Sequence, residues 1–147
     1  MSSPARALVA GHGEFAAGLV SAVAQITGRS EVFLVLTNRE QSAQDVERNM
    51  RGMLERTDVA VIFTDLPAGS CTMAARRLQR ERPELVLVTG TNLAALLDFV
   101  FADTLPPEEA ARHAAEKGRA ALALAGEVSG GNAGEPGTGN RDGARER

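Results

Sequence analysis

Four short apolar runs recur along the chain, each followed by a segment of helical spacing. This alternation constrains the fold more than any other feature. The runs are Ala5–Ala10, Glu31–Leu36, Asp58–Thr64 and Glu84–Thr89. Short apolar runs bounded by turn residues read as buried strands. Each run reads as apolar on both faces, which suits a parallel sheet covered by helices on both sides. The segments between them are helical. Phe15, Leu19, Val23 and Ile26 recur at spacings of three and four, with Gly28 just beyond as a stop. Ser42 and Asp45 open a second helix in capping-box fashion, and Val46, Met50, Met53 and Leu54 form its apolar stripe. A third helix starts from a cap at Ser70 or Thr72 and runs to about Arg82, where Pro83 ends it. Leu93–Phe101 is an apolar helix, and Pro106-Pro107 starts an Ala-rich one that reaches about Ala125. The expected fold is a doubly wound α/β domain with a four-stranded, mainly parallel sheet.

The chain has 147 residues, the size of one domain by the usual range of roughly 100–200. The expected domain spans 1–127. The remainder, 128–147, is crowded with glycine and has no large apolar residue beyond Val128, so it is expected to be a disordered tail. The single cysteine, Cys71, excludes an internal disulfide and fits a reducing compartment. No apolar run approaches the roughly 20 residues of a membrane span, and no signal peptide is visible, so a cytoplasmic location is expected. A net charge of −3 gives no support to nucleic-acid binding.

In open parallel sheets, ligands bind beyond the carboxyl ends of the strands, where the strand order reverses. With an order of 2-1-3-4 the reversal falls between the first and third strands. It would bring together two loops distant in sequence, one holding His12 and the other Asp65. His12 stands between Gly11 and Gly13 at a strand end, and small neighbours leave its ring open to another molecule. An imidazole there can act as general base, metal ligand or nucleophile. An ordinary loop histidine fits the position equally well. Metal binding lacks companions: His113 belongs to a distant helix, and neither an H-E-x-x-H pattern nor a cysteine pair is present. Ser70 lies in no G-x-S-x-G elbow, and no G-x-x-x-x-G-K-[ST] nucleotide loop occurs. A histidine that itself accepts a group needs one nitrogen free and the other held by a carboxylate. Asp65 is the candidate holder and, in a strand-end loop, is expected to stay partly solvated. The Gly69-Ser70 turn and the start of the first helix offer backbone N–H groups and a hydroxyl suited to a phosphoryl group. Cys71 reads as a packing residue, with a lowered thiol pKa at a helix start as its rival. Arg76, Arg77, Arg80 and Arg82 read as a solvated face, and His113 as a solvent-facing helix residue. Phe15, Leu66 and Pro67 flank the site as core edge or exposed apolar rim.

Three stretches together resemble a known family. Gly11-His12-Gly13-Glu14-Phe15-Ala16 with Gly18-Leu19, then Asp65-Leu66-Pro67-Ala68-Gly69-Ser70, then Gly90-Thr91-Asn92-Leu93, are similar to the IIA component of the mannose/fructose/sorbose family of the bacterial phosphoenolpyruvate:sugar phosphotransferase system (PTS). The likeness covers about Ala5 to Ala125. It implies a phosphoryl carrier: His12 takes the group from phospho-HPr and passes it to a IIB component, with the membrane components IIC and IID engaged indirectly. Asp65 matches the aspartate that bonds the histidine, and Ser70 matches the serine that contacts the phosphoryl group. No cofactor or metal is implied. The family pattern also implies a homodimer with an extra edge strand exchanged between subunits. Ala68, Cys71 and Thr72 depart from the commoner Gly-Gly-Ser-Pro-Phe loop, and Asp65–Thr72 looks closest to the galactosamine or N-acetylgalactosamine branch. Two alternatives are the phosphotransfer subunit of a dihydroxyacetone kinase, which Gly11–Phe15 fits less well, and a regulatory binding module outside transport.

Overall fold

The computed structural model describes residues 5–39 and 41–126. In chain order the elements are β1 (Ala7–His12), α1 (Phe15–Thr27), β2 (Phe33–Asn38), α2 (Ala43–Glu55), β3 (Val61–Thr64), α3 (Ser70–Glu81), β4 (Val86–Val88), α4 (Leu93–Phe101) and α5 (Pro107–Ala121). The strands form one parallel sheet, as the alternation of apolar runs predicts, and their order is the expected β2-β1-β3-β4. Glu31, Asp58 and Glu84 precede their strands instead of opening them. β1 runs two residues past Ala10, because pairing with β2 continues through Gly11↔Thr37 to His12↔Asn38. The tail expected at 128–147 lies outside the described residues. Among the described residues no helix is long and apolar enough to cross a membrane.

Successive side chains of a strand point to opposite faces, and β1 supplies both cores. Ala7 and Val9 enter one cluster with Val61, Phe63, α1, α4 and α5. Leu8 and Ala10 enter the other with Ile62, α2 and α3. In the first cluster the ring centroid of Phe99 lies 5.2 Å from Phe63, edge to face, and 5.9 Å from Phe33. Such aromatic contacts add to the burial of apolar area.

Two expectations for the helices need correction. Ile26 is 58% exposed. The buried line of α1 is Ala16, Val20 and Val23, and it continues to half-buried Thr27, whose hydroxyl bonds the Val23 carbonyl. Ile26 therefore falls beside the stripe. α5 ends at Ala121 instead of about Ala125, leaving Leu122 and Leu124 exposed. Most of α4 is covered within the chain, with the sheet and α1 on one side and α5 on the other, while Phe101 at its end stays 68% exposed. Asn92 ties this pair of helices together. Its side chain accepts from the Ala95 N–H at 3.0 Å and donates to the Gly118 carbonyl at 2.9 Å. Losing a helix cap of this kind costs about 0.5–2 kcal/mol, so Asn92→Ala is expected to lower unfolding free energy by about 1–2 kcal/mol in urea titration. A variant as stable as wild type would show that the cap and the bridge to α5 carry no net stability.

Candidate functional site

The carboxyl ends of β1, β2 and β3 meet at one edge of the molecule, and the candidate site residues come from all three. His12 is the last residue of β1, and Asp65 directly follows β3. The topology brings them together as the predicted strand order requires. One carboxylate oxygen of Asp65, Oδ2, accepts the His12 backbone N–H at 2.8 Å and lies 2.7 Å from His12 Nδ1. A carboxylate facing Nδ1 places the ring proton there and leaves the lone pair on Nε2. The His12 side chain is half exposed, whereas that of Asp65 is only 10% exposed. This corrects the expectation of a partly solvated carboxylate: the other oxygen, Oδ1, is buried without a hydrogen-bond partner among the described residues. Burial pushes the Asp65 pKa up. The hydrogen bonds from the His12 backbone N–H and ring oppose it, and the balance holds the carboxyl below its ordinary value.

Gly11 is what lets these groups meet. A Cβ at this position would stand 2.5 Å from the Phe15 ring and 3.0 Å from Asp65 Oδ2. Phe15 itself is half buried against the first core, so it is core edge. Leu66, Pro67 and Ala68 are exposed and form the rim. On the far side of the imidazole, Gly69 packs so closely that a Cβ there would lie 3.2 Å from His12 Cε1 and 3.9 Å from Nε2. Its φ of +126° is open only to glycine at low cost.

Gly69 is also the residue from which α3 begins, with no side-chain cap. Neither Ser70 nor Thr72 serves as the predicted cap. Thr72 is buried, and its hydroxyl donates to the Leu66 carbonyl at 2.5 Å and lies 2.7 Å from the Thr64 hydroxyl. This fastens the 65–69 loop to β3 and α3. Ser70 is the first helical residue, and its Oγ accepts from Asn38 Nδ2. The first backbone hydrogen bond of α3 runs from Met73 N–H to the Gly69 carbonyl. The N–H groups of residues 70–72 therefore have no acceptor within the helix, the usual condition of a helix start. The arrangement joins a half-open imidazole, its buried carboxylate partner, a hydroxyl and a helix N-terminus.

Sequence reasoning missed Asn38. Its one signal was a polar residue closing an otherwise apolar strand. It also missed a second pair: His113 Nδ1 lies 2.7 Å from Asp98 Oδ2, joining α5 to α4. That pair sits on two helix interiors, whose backbone N–H groups are already bonded within their helices, so it lacks a helix start like the one that begins at Gly69 against His12. Of the arginine stretch on α3, Arg77 pairs with Glu47 and Arg82 with Glu84, while Arg76 and Arg80 are exposed. Glu14 and Arg39 form an exposed ion pair near the site. Among the described residues no three His, Cys, Asp or Glu side chains cluster as metal ligands.

Cys71 is fully buried in the second core, and burial together with the Asp65 charge pushes its thiol up to about 11. This contradicts a lowered thiol pKa. Native Cys71 is expected to react with an aromatic disulfide reagent roughly a hundredfold more slowly at mildly alkaline pH than the unfolded chain does. Equal rates would mean that the thiol is accessible and ionised in the native state.

A parallel doubly wound domain with a carboxylate-held histidine at its switch point is the class defined by the fold and the site. Solved structures share the architecture. The mannose/sorbose-specific IIA subunit of the phosphotransferase system from Enterococcus faecalis aligns with a TM-score of 0.71 at 19% identity, over 83% of this chain and 95% of that one. The PTS IIA protein associated with the fucose utilization operon of Streptococcus pneumoniae aligns at 0.70 and 21% identity, over 84% and 96%. The phosphotransferase system component EIIA from Streptococcus agalactiae aligns at 0.67 and 20% identity, over 77% and 93%. No curated protein matches the chain. The family model EIIA-man, described as PTS system fructose IIA component, matches residues 6–117, and the chain belongs to this family of mannose-type IIA components.

Proposed function

We propose that this chain is a phosphoryl carrier of a sugar phosphotransferase system, loading and unloading at His12 Nε2. The observation that carries the proposal is the 2.7 Å contact of Nδ1 with buried Asp65, which directs the lone pair of Nε2 outward. In the loading step that lone pair attacks the phosphorus of phospho-HPr. A nitrogen–phosphorus bond forms at His12 as the bond to the HPr histidine breaks, and the electron pair leaves with the HPr imidazole. The His12 ring gains positive charge, which Asp65 offsets in a site of reduced dielectric. Ser70 and the first N–H groups of α3 donate to the phosphoryl oxygens. The same steps in reverse sense pass the group to a IIB component. One phosphohistidine is exchanged for another, so positioning supplies most of the chemistry and no metal, nucleotide or other cofactor takes part.

The partners are HPr and a IIB component, with IIC and IID reached indirectly through IIB at the membrane. The chain works in the cytoplasm and binds no nucleic acid. A homodimer is part of the proposal. It is supported by the outer edge of β4, which is unpaired among the described residues and where Val86–Val88 stay half buried, and by exposed Leu122 and Leu124 in the segment after α5. Unpaired strand edges invite a further strand. The amino-sugar branch rests on the 65–72 loop alone.

The test is incubation with phosphoenolpyruvate, enzyme I and HPr, followed by intact-mass analysis and phosphosite mapping. One phosphoryl group on His12, transferable to a IIB protein, is expected. Loading without onward transfer to any IIB would favour a dihydroxyacetone kinase subunit or a regulatory module. Absence of loading would overturn the carrier role.

A further inference from the structure

Asn38 closes β2 and is the register partner of His12 on β1. Register partners on adjacent parallel strands project to the same face. β1 lies between β2 and β3, and α3 follows β3. To donate to Ser70 Oγ, the Asn38 amide therefore reaches across the end of β1 that carries His12. A serine hydroxyl has one proton and can accept through its lone pairs. With the Asn38 N–H on one lone pair, the Ser70 proton is left to donate elsewhere, and among the described residues it bonds no acceptor. Thr72, two residues on, differs: its proton is taken by the Leu66 carbonyl.

We infer that Asn38 is a positioning residue for phosphoryl transfer. Its amide holds Ser70 as an acceptor, so that the Ser70 O–H is aimed as a donor to a phosphoryl group on His12. The inference rests on the proposed role of His12 as phosphoryl carrier and assigns a function to a residue outside the His12, Asp65 and Ser70 set. It also explains the residue type. An aspartate at 38 has nearly the same shape but only accepts, so it would claim the Ser70 proton. An alanine would leave the hydroxyl free to rotate.

The test measures phosphohistidine formation with two donors, phospho-HPr and phosphoramidate, a small molecule that phosphorylates histidine without a carrier protein. Removing a direct oxyanion donor costs about 10²–10³ in rate; acting through Ser70, Asn38→Ala is expected to cost about tenfold and Asn38→Asp about a hundredfold. In a Ser70→Ala background, Asn38→Ala should add less than about twofold, because residues that act through one another are not additive. A merely structural Asn38 would slow transfer equally with and without the Ser70 hydroxyl. That additive result, or an Asn38→Asp variant loading at the wild-type rate, overturns the inference. Loading of wild type by phosphoramidate but not by phospho-HPr overturns the carrier role alone, and Asn38 is then judged on the phosphoramidate rates. If neither donor labels His12, both proposals fall.

Discussion

His12→Ala is expected to take up no phosphoryl group from phospho-HPr, with its intact mass unchanged under conditions that load the wild type fully. The other histidine, His113, makes this a demanding expectation, since it has the same 2.7 Å carboxylate contact and is equally half exposed. The two sites differ in what surrounds the free nitrogen. Beside His12 stands close-packed Gly69, from which α3 starts without a side-chain cap and with Ser70 as its first residue. The backbone around His113 is committed to helical hydrogen bonds. Transfer depends on donors aimed at the charge that develops on the phosphoryl oxygens, so a paired imidazole without them should stay unmodified. The variant should fold, because the His12 side chain is half exposed and lies outside both core clusters. An adduct retained in His12→Ala, or one mapped to His113 in the wild type, would sink the assignment.

Asp65→Asn is expected to fold and to accept phosphoryl at least tenfold more slowly, with about 10²–10³ the typical loss for one electrostatic partner. An amide oxygen in the place of Oδ2 can still accept from the His12 backbone and from Nδ1, so the tautomer survives. What disappears is the negative charge that offsets the imidazolium. The NH2 group would fall where Oδ1 is buried without a partner. A buried unsatisfied donor costs about 1–3 kcal/mol, so the thermal midpoint should drop by several degrees. The pH dependence follows from the direction of the Asp65 shift. The folded-state pKa lies below the unfolded one. Ionisation of Asp65 therefore contributes stability above the unfolded carboxylate value of about 3.9, and that contribution is lost as pH falls through the folded value. The stability gap between wild type and Asp65→Asn should accordingly narrow on acidification below about pH 4. Rapid-quench kinetics at the wild-type rate would make Asp65 a structural loop residue.

The architecture was legible because its signals are local. Apolar runs such as Val59–Phe63, alternating with segments such as Val46–Leu54, demand strands buried on both faces and helices that cover them. The resulting parallel sheet has few possible topologies. The order β2-β1-β3-β4 then carries His12 and Asp65 to one edge although 53 residues separate them. What local pattern could not supply was anything set by the reach of one side chain across another strand. The Asn38–Ser70 bond depends on the register of β1 against β2. The burial of Asp65 depends on how closely the carboxylate packs over Gly11. The place of Gly69 against the imidazole depends on how Thr72 fastens the loop. The covering of α4 by α5 also lay beyond local pattern, since an apolar helix looks the same whether its own chain or a second subunit buries it. Periodicity reports which face of an element is apolar, and therefore determined the fold. Distances between polar groups from separate elements arise only once those elements have packed, and in this protein they decide how the site is built.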